Sequence, residues 1–236
     1  STLFEGFDFR TNISNGFALP GGSIRYDRDA NVDPSEVWQY EAGVEYDYNN
    51  LVKVSLTGFI INTSKEVNET APGSGIFINS GKTQRNGLEL GIKAQPLKRL
   101  NFNGSFAYIK TEIKENPDVA LVGKELNNIP RTVANLMLDY TLESGIGARV
   151  NVRNVGKYAT GLENFFYYNG YSRTDSTLFY NFAGTSSRRG QIFVEFNNMF
   201  NENYATYVFD NGGPSDGQSY SASAPRSFSV GVSYNF

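Results

Sequence analysis

The chain has 236 residues, a net charge of −3 and 19% charged residues, which leaves no basic footprint for nucleic acid. It contains no cysteine and no histidine, so disulfides, thiolate nucleophiles, histidine metal sites and imidazole acid–base catalysis are all excluded. With 24 glycines, 18 phenylalanines and 15 tyrosines beside 2 methionines the composition favours sheet, and no apolar run approaches the ~18 residues of a transmembrane helix.

Alternation of large apolar with small or polar residues, read together with turn chemistry, predicts an all-β antiparallel meander of about ten strands. They fall near 4–16, 36–48, 51–63, 84–96, 100–113, 131–142, 145–157, 172–183, 189–200 and 225–236. The second strand sets Trp38, Tyr40, Ala42, Val44, Tyr46 and Tyr48 on one face against Gln39, Glu41, Gly43, Glu45 and Asp47 on the other. A face with three carboxylates is wet, because hydrocarbon does not solvate them. The same split opposes Leu88, Leu90 and Ile92 to Glu89, Gly91 and Lys93, and Leu136, Leu138 and Tyr140 to Asn135, Met137 and Asp139. It opposes Ile146, Ala148, Val150 and Val152 to Gly147, Arg149, Asn151 and Arg153. In the last strand Phe228, Val230, Val232, Tyr234 and Phe236 alternate with small or polar residues to the C-terminus.

The connections sort by length. Short links at Asn49–Asn50, 97–99, 143–144 and 184–188 alternate with long ones at 17–35, 64–83, 114–130, 158–171 and 201–224. A transmembrane β-barrel places short turns at the periplasmic end and long loops outside, with apolar residues toward lipid and polar ones toward a wet lumen. A soluble sandwich has no reason to sort its loops into two ends.

Several strings resemble the C-terminal half of a TonB-dependent outer-membrane receptor. Ser14 to Phe17 is similar to the Ser-x-Gly-Phe string of a mid-barrel strand, and Pro34–Glu36 followed by Tyr40–Gly43 to the Pro-Glu…Tyr-Glu-x-Gly entry to the next. Asn86–Glu89 resembles Arg-Gly-x-Glu with Asn86 in the arginine position, Ile129–Pro130 a strand entry, and Val155–Gly156 the end of the strand that follows. Asn197 to Tyr204 resembles Asn-Asn-Leu-Phe-Asp-x-x-Tyr, departing at Met199 and Asn201, and Pro225–Arg226 leading to Phe236 resembles the family's final strand. The string Asn154 to Asn164 is similar to the ferric-siderophore branch.

The resemblance implies an outer-membrane protein of a Gram-negative bacterium that is no enzyme and holds no cofactor, iron entering only as a chelate in the transported ligand. Its partners would be outer-membrane lipid, an N-terminal plug domain, TonB through that plug, a ferric siderophore, and the barrel-assembly machinery acting on Phe236. Such receptors resemble 22-stranded barrels whose lumen needs a plug. Residues 1–236 are therefore expected to be the C-terminal part of the barrel, an open curved sheet without the plug. The rivals are a complete small passive barrel of about ten strands, in which the first and last strands would pair, and a soluble β-sheet binding protein.

Siderophore capture needs aromatic faces and cations in the outer loops. Those available are Arg25, Tyr26 and Arg28 in the first long loop, Phe165, Phe166, Tyr167, Tyr168 and Tyr171 in the fourth, and Tyr207 and Tyr220 in the last. The same aromatics would also serve as an interfacial girdle, with the charges solvated. On the lumen face Glu41, Glu45, Glu89, Lys93, Arg149, Arg153 and Glu195 are expected to meet the plug or to form a hydrated wall.

Overall fold

A computed structural model describes residues 6–18, 32–69, 77–79, 81–183, 189–211, 213–215 and 217–235. Sixteen strands are β1 (Phe7–Ala18), β2 (Ser35–Tyr48), β3 (Val52–Ser64), β4 (Val67–Glu69), β5 (Phe77–Asn79), β6 (Lys82–Leu97), β7 (Leu100–Glu115), β8 (Thr132–Thr141), β9 (Ile146–Val155), β10 (Tyr158–Ala159), β11 (Tyr167–Tyr168), β12 (Tyr171–Ala183), β13 (Arg189–Asn197), β14 (Ala205–Asp210), β15 (Gln218–Ala222) and β16 (Ser227–Asn235). Ten of them form one antiparallel sheet in the order β1-β2-β3-β6-β7-β8-β9-β12-β13-β16. The other six pair as three small hairpins, β4–β5, β10–β11 and β14–β15, that fold within the long loops. A 3-10 turn, Val119–Leu121, sits in the loop between β7 and β8.

Apart from register shifts at the two ends of the β6–β7 pair, the ladder is unbroken, so each side chain keeps to one face across the sheet. Leu90, for example, stands between Leu56 and Phe106, and Leu136 between Gly104 and Val152. The face that carries the even-numbered residues of β2 to β16 and the odd-numbered ones of β1 (Phe7, Phe9, Ile13) is apolar, and no described residue covers it. Trp38 is 43% exposed, Leu90 37%, Leu136 40% and Val230 67%, so among the described residues no second layer lies against them. The outward residues of β7 are Leu100, Phe102, Phe106 and Tyr108, followed by Lys110, Glu112 and Lys114. From Leu100 to Tyr108 is about nine residues, what a tilted strand needs to cross the hydrocarbon. Beyond it the outer face turns polar, with the Gln84 side chain donating to Asn62 Oδ1 at 2.9 Å.

Turns follow from local chemistry. Asn49 and Asn50 both take left-handed backbone (φ 51° and 57°), the geometry of a type I′ hairpin turn, and the Asn50 N–H donates to Asp47 Oδ1 at 2.9 Å. On the polar face, the Phe179 ring lies over Gly147 and the Phe193 ring over Gly231, where any Cβ would collide with them. Glycine on one strand thus makes room for an aromatic ring lying flat on the wall.

The described short turns lie at one end of the sheet and the long loops at the other, while the predicted link at 184–188 lies outside the described residues. Among the described residues β1 and β16 do not pair, so the sheet is open at both edges.

The two faces predict opposite responses to charge. Leu136→Arg should cost about 2–4 kcal/mol in lipid, whereas Asn135→Arg, one residue away on the wet face, should change stability by no more than about 0.5 kcal/mol. Urea unfolding of the protein in phospholipid vesicles measures both.

Candidate functional site

Three long loops are fused by a small core of their own above the wall. Tyr158 packs on Tyr168 with ring centroids 5.4 Å apart, joining β10 to β11. The Ala205 N–H donates to the Tyr168 hydroxyl at 2.9 Å, and the Gln218 side chain donates to Thr160 Oγ1 at 2.7 Å, so the β14–β15 hairpin is tied to β10–β11. Ala159, Thr160, Ala205 and Val208 are buried where the two hairpins meet. The loop from 116 to 131 joins through Asn164, whose Oδ1 accepts the Glu125 N–H at 2.8 Å and whose Nδ2 donates to Glu125 O at 2.9 Å. Asn164 does this from a left-handed backbone (φ 56°), which asparagine tolerates better than most residues. Arg131 grips Glu125 through two nitrogens at 2.6 and 3.1 Å. Glu125 in turn raises the pKa of Arg131, holding it charged.

The string Asn197–Tyr204 is the second tie. The buried Asn198 donates its backbone N–H to Asp175 Oδ1 at 2.8 Å and its side chain to Glu202 O at 2.9 Å. Its Oδ1 accepts the Glu202 N–H at 2.8 Å, and Asn201 Oδ1 accepts the Arg226 N–H at 3.0 Å. Tyr204 stacks on Tyr171 with centroids 4.1 Å apart, and its hydroxyl accepts from Arg173 at 3.1 Å. Arg173 also pairs with Asp175 at 2.6 Å, so the last loop is anchored to the inner wall on β12.

The predicted ligand aromatics separate accordingly. Phe165, Tyr207 and Tyr220 are exposed, with the Tyr220 hydroxyl donating to Gln218 at 2.7 Å. Phe166 is half-buried. Tyr167 carries two cations over its ring, Lys157 at 4.4 Å and Arg131 at 5.4 Å. Tyr168 and Tyr171 are engaged inside the loop platform through the contacts above. Arg25, Tyr26 and Arg28 lie outside the described residues, as does Phe236.

On the polar wall, Glu45 lies between Lys53 (3.1 Å) and Arg10 (3.6 Å), and Arg149 pairs with Asp139 at 2.7 Å. Glu195 accepts from Ser229 at 3.1 Å, and Glu41 from Gln39 at 2.6 Å and Asn12 at 3.4 Å. Among the described residues Glu89, Lys93 and Arg153 have neither an ion pair nor a side-chain hydrogen bond. Residue types alone passed over Arg131, Lys157 and Asn164. An asparagine preceding an aromatic run was the available signal for Asn164.

Asn198→Ala should loosen the last loop by about 2 kcal/mol, the sum of its lost side-chain bonds, seen as roughly 30-fold faster amide exchange over 198–206 with β8 unchanged. Burial pushes the Tyr158 phenol above its ordinary value of 10.0. The closed platform therefore keeps a proton that the opened chain releases. That stabilisation is full below about pH 10 and is lost as pH rises through the raised value. Tyr158→Phe should remove this alkaline step from loop opening, followed by exchange or near-ultraviolet dichroism.

Residues 2–199 match the family model for TonB dependent receptor-like, beta-barrel proteins. The ferrichrome outer membrane transporter/phage receptor of Escherichia coli K12 is 27% identical over 196 residues, which cover 80% of this chain and 26% of that protein. The metal-pseudopaline receptor CntO of Pseudomonas aeruginosa is 25% identical over 233 residues, covering 95% of this chain and 31% of that one. The solved siderophore receptor PiuA of Acinetobacter baumannii superposes with a TM-score of 0.80 at 16% identity, over 97% of this chain and 34% of PiuA. This chain thus spans about a quarter to a third of the length of the relatives it matches. With an uncovered apolar face one hydrocarbon layer tall, a charged opposite face and loops sorted to one end, the chain belongs to the TonB-dependent receptor family, within its β-barrel.

Proposed function

We propose that this chain is the C-terminal wall and part of the mouth of an outer-membrane receptor that takes up a ferric siderophore, driven by TonB through an N-terminal plug. The observation that carries this reading is the two-faced sheet with unpaired edges. A complete ten-stranded pore would pair β1 with β16, whereas among the described residues these two strands do not pair. A soluble binding protein would cover its apolar face, and this one is bare. The relatives' names, ferrichrome and metal-pseudopaline receptors among them, point to metal chelates as the cargo class.

In this reading Phe165, Tyr207 and Tyr220, exposed on the fused loops, offer ring faces to the chelate, and Tyr167 with Lys157 and Arg131 offers positive charge beside them. Tyr168 and Tyr171 act behind them by holding the platform. Arg25, Tyr26 and Arg28 are assigned to the same mouth, and Phe166 to its rim. Glu45, Arg149 and Glu195 are held by wall partners, while Glu41, Glu89, Lys93 and Arg153 face the plug. Lipid meets the apolar face, even-numbered on β2 to β16 and odd-numbered on β1, and the assembly machinery would act on Phe236.

Uptake of radioactive iron by cells carrying the whole receptor tests this, with ferrichrome and a ferric catecholate as probes. Saturable uptake of at least one, abolished when the proton gradient is collapsed, is expected. Phe165→Ala with Tyr220→Ala should raise the half-saturating concentration about tenfold, each ring contributing ~0.5–1.5 kcal/mol. Gradient-independent, non-saturable passage would mean a passive pore.

A further inference from the structure

The register of the wall sets Arg153 directly opposite Arg173 on the neighbouring strand, both on the polar face. Like charges in directly opposed positions disfavour the pairing unless something neutralises them. Only one of the two is neutralised by the wall. Arg173 is occupied by Asp175, at 2.6 and 3.0 Å, and by the Tyr204 hydroxyl at 3.1 Å. Asp175 is itself occupied, its second oxygen accepting the Asn198 N–H at 2.8 Å. Arg153 is exposed and, among the described residues, has no counter-ion.

Arg153 borders a depression of about 600 Å³ on the polar face, and on its far side stands Lys93, also exposed and also without a partner among the described residues. The floor between them carries Asn103, Ser105, Asn135 and Asn151 around Met137 and Gly91, and Lys53 beside Lys93 is already paired with Glu45. The asparagines and the serine are polar and uncharged. The only carboxylate on the lining is Asp175, already taken. Lys93 stands in line with Asn151, so lysine and arginine at the two rims are separated by three strand spacings and two residues along the strand, or roughly 16 Å.

We infer that this basic depression seats an acidic, extended segment of the domain that fills the lumen, with two carboxylates about four residues apart, one on Arg153 and one on Lys93. The inference rests on the plug reading above and specifies the chemistry of its contact here. The spacing decides between occupants. One carboxylate or phosphate cannot bridge ~16 Å, whereas side chains four residues apart on an extended chain stand ~13 Å apart, face the same way and lie within reach of the long lysine and arginine side chains. The asparagine floor supplies both donors and acceptors for the segment's backbone. Because Arg173 joins this site to Tyr204, the seated segment lies one side chain away from the anchor of the last loop.

The test uses the whole receptor in detergent, with the urea transition of the lumen domain followed separately from that of the barrel. In the natural protein that transition should move to lower urea as NaCl rises from about 50 to 500 mM, since partly exposed ion pairs are screened. Each of Arg153→Gln and Lys93→Gln should remove about half of this salt-dependent shift, and the double variant nearly all of it. Arg153→Lys, which keeps the charge, should restore it, and Arg149→Gln, whose partner Asp139 lies on the wall, should leave it unchanged. A shift that survives in the double variant overturns the inference while leaving a lumen domain in place. Citrate binding that depends on Arg153 with the lumen domain seated would mean a free anion is the occupant, and overturns it as well. If the whole receptor shows no separate lumen-domain transition, the plug reading fails and this contact with it.

Discussion

Hydrocarbon accepts neither an unpaired peptide group nor an unpaired charge, and nearly every feature of this sheet answers that one constraint. Backbone groups between β1 and β16 are consumed by the ladder. Side chains then have only two places to go, and the pleat sends them alternately to lipid and to water. Leu88, Leu90 and Ile92 can be apolar because Glu89 and Lys93 carry the polarity of the same stretch on the other face. Register is held firmly for the same reason, since a slip of one residue would drive Glu41 and Glu45 into lipid. Glycine serves the constraint too, at Gly147 and Gly231, where flat phenylalanine rings cover wall that would otherwise be thin.

Above the hydrocarbon the solvent changes and so does the means of support. Water competes for every hydrogen bond there, so the loops gain order by burying a core of their own around Ala159, Thr160 and Val208 and by placing asparagines at left-handed turns. Asn164 and Asn198 each join two backbone segments that are far apart in sequence. Arg173 links the two regions, holding Asp175 on the wall and Tyr204 in the last loop. A loop platform fixed in this way offers exposed rings with little further ordering needed on binding, which favours affinity.

Strand positions were legible because alternation is a local property. The expected strand at 51–63 is Val52–Ser64, and that at 100–113 is Leu100–Glu115. Where the expectation ran long, a specific residue stopped the ladder: 189–200 ends at Asn197 because Asn198 turns left-handed (φ 51°) to hold Glu202. The three loop hairpins were not anticipated. Strands of two or three residues, such as Tyr158–Ala159, carry no period to read. The roles of the loop aromatics were beyond local reading as well. Phe165 and Tyr168 are the same kind of residue three positions apart, yet one is open to solvent and the other accepts a hydrogen bond from Ala205, 37 residues away. Which wall charges are self-paired depends likewise on neighbours across strands, as with Arg149 and Asp139 against Arg153, which has no counter-ion among the described residues.

The central claim is that from β2 to β16 the even-numbered side chains of the wall touch lipid while the odd-numbered ones touch water, with the parity reversed on β1. Single spin labels at successive positions from 134 to 140 on β8, in the membrane-embedded receptor, test it most directly through their accessibility to oxygen and to a water-soluble nickel complex. Strict alternation is predicted, with oxygen favoured at 134, 136, 138 and 140 and nickel at 135, 137 and 139. Equal nickel access at every position, or protection of the even positions from both reagents, would contradict the account.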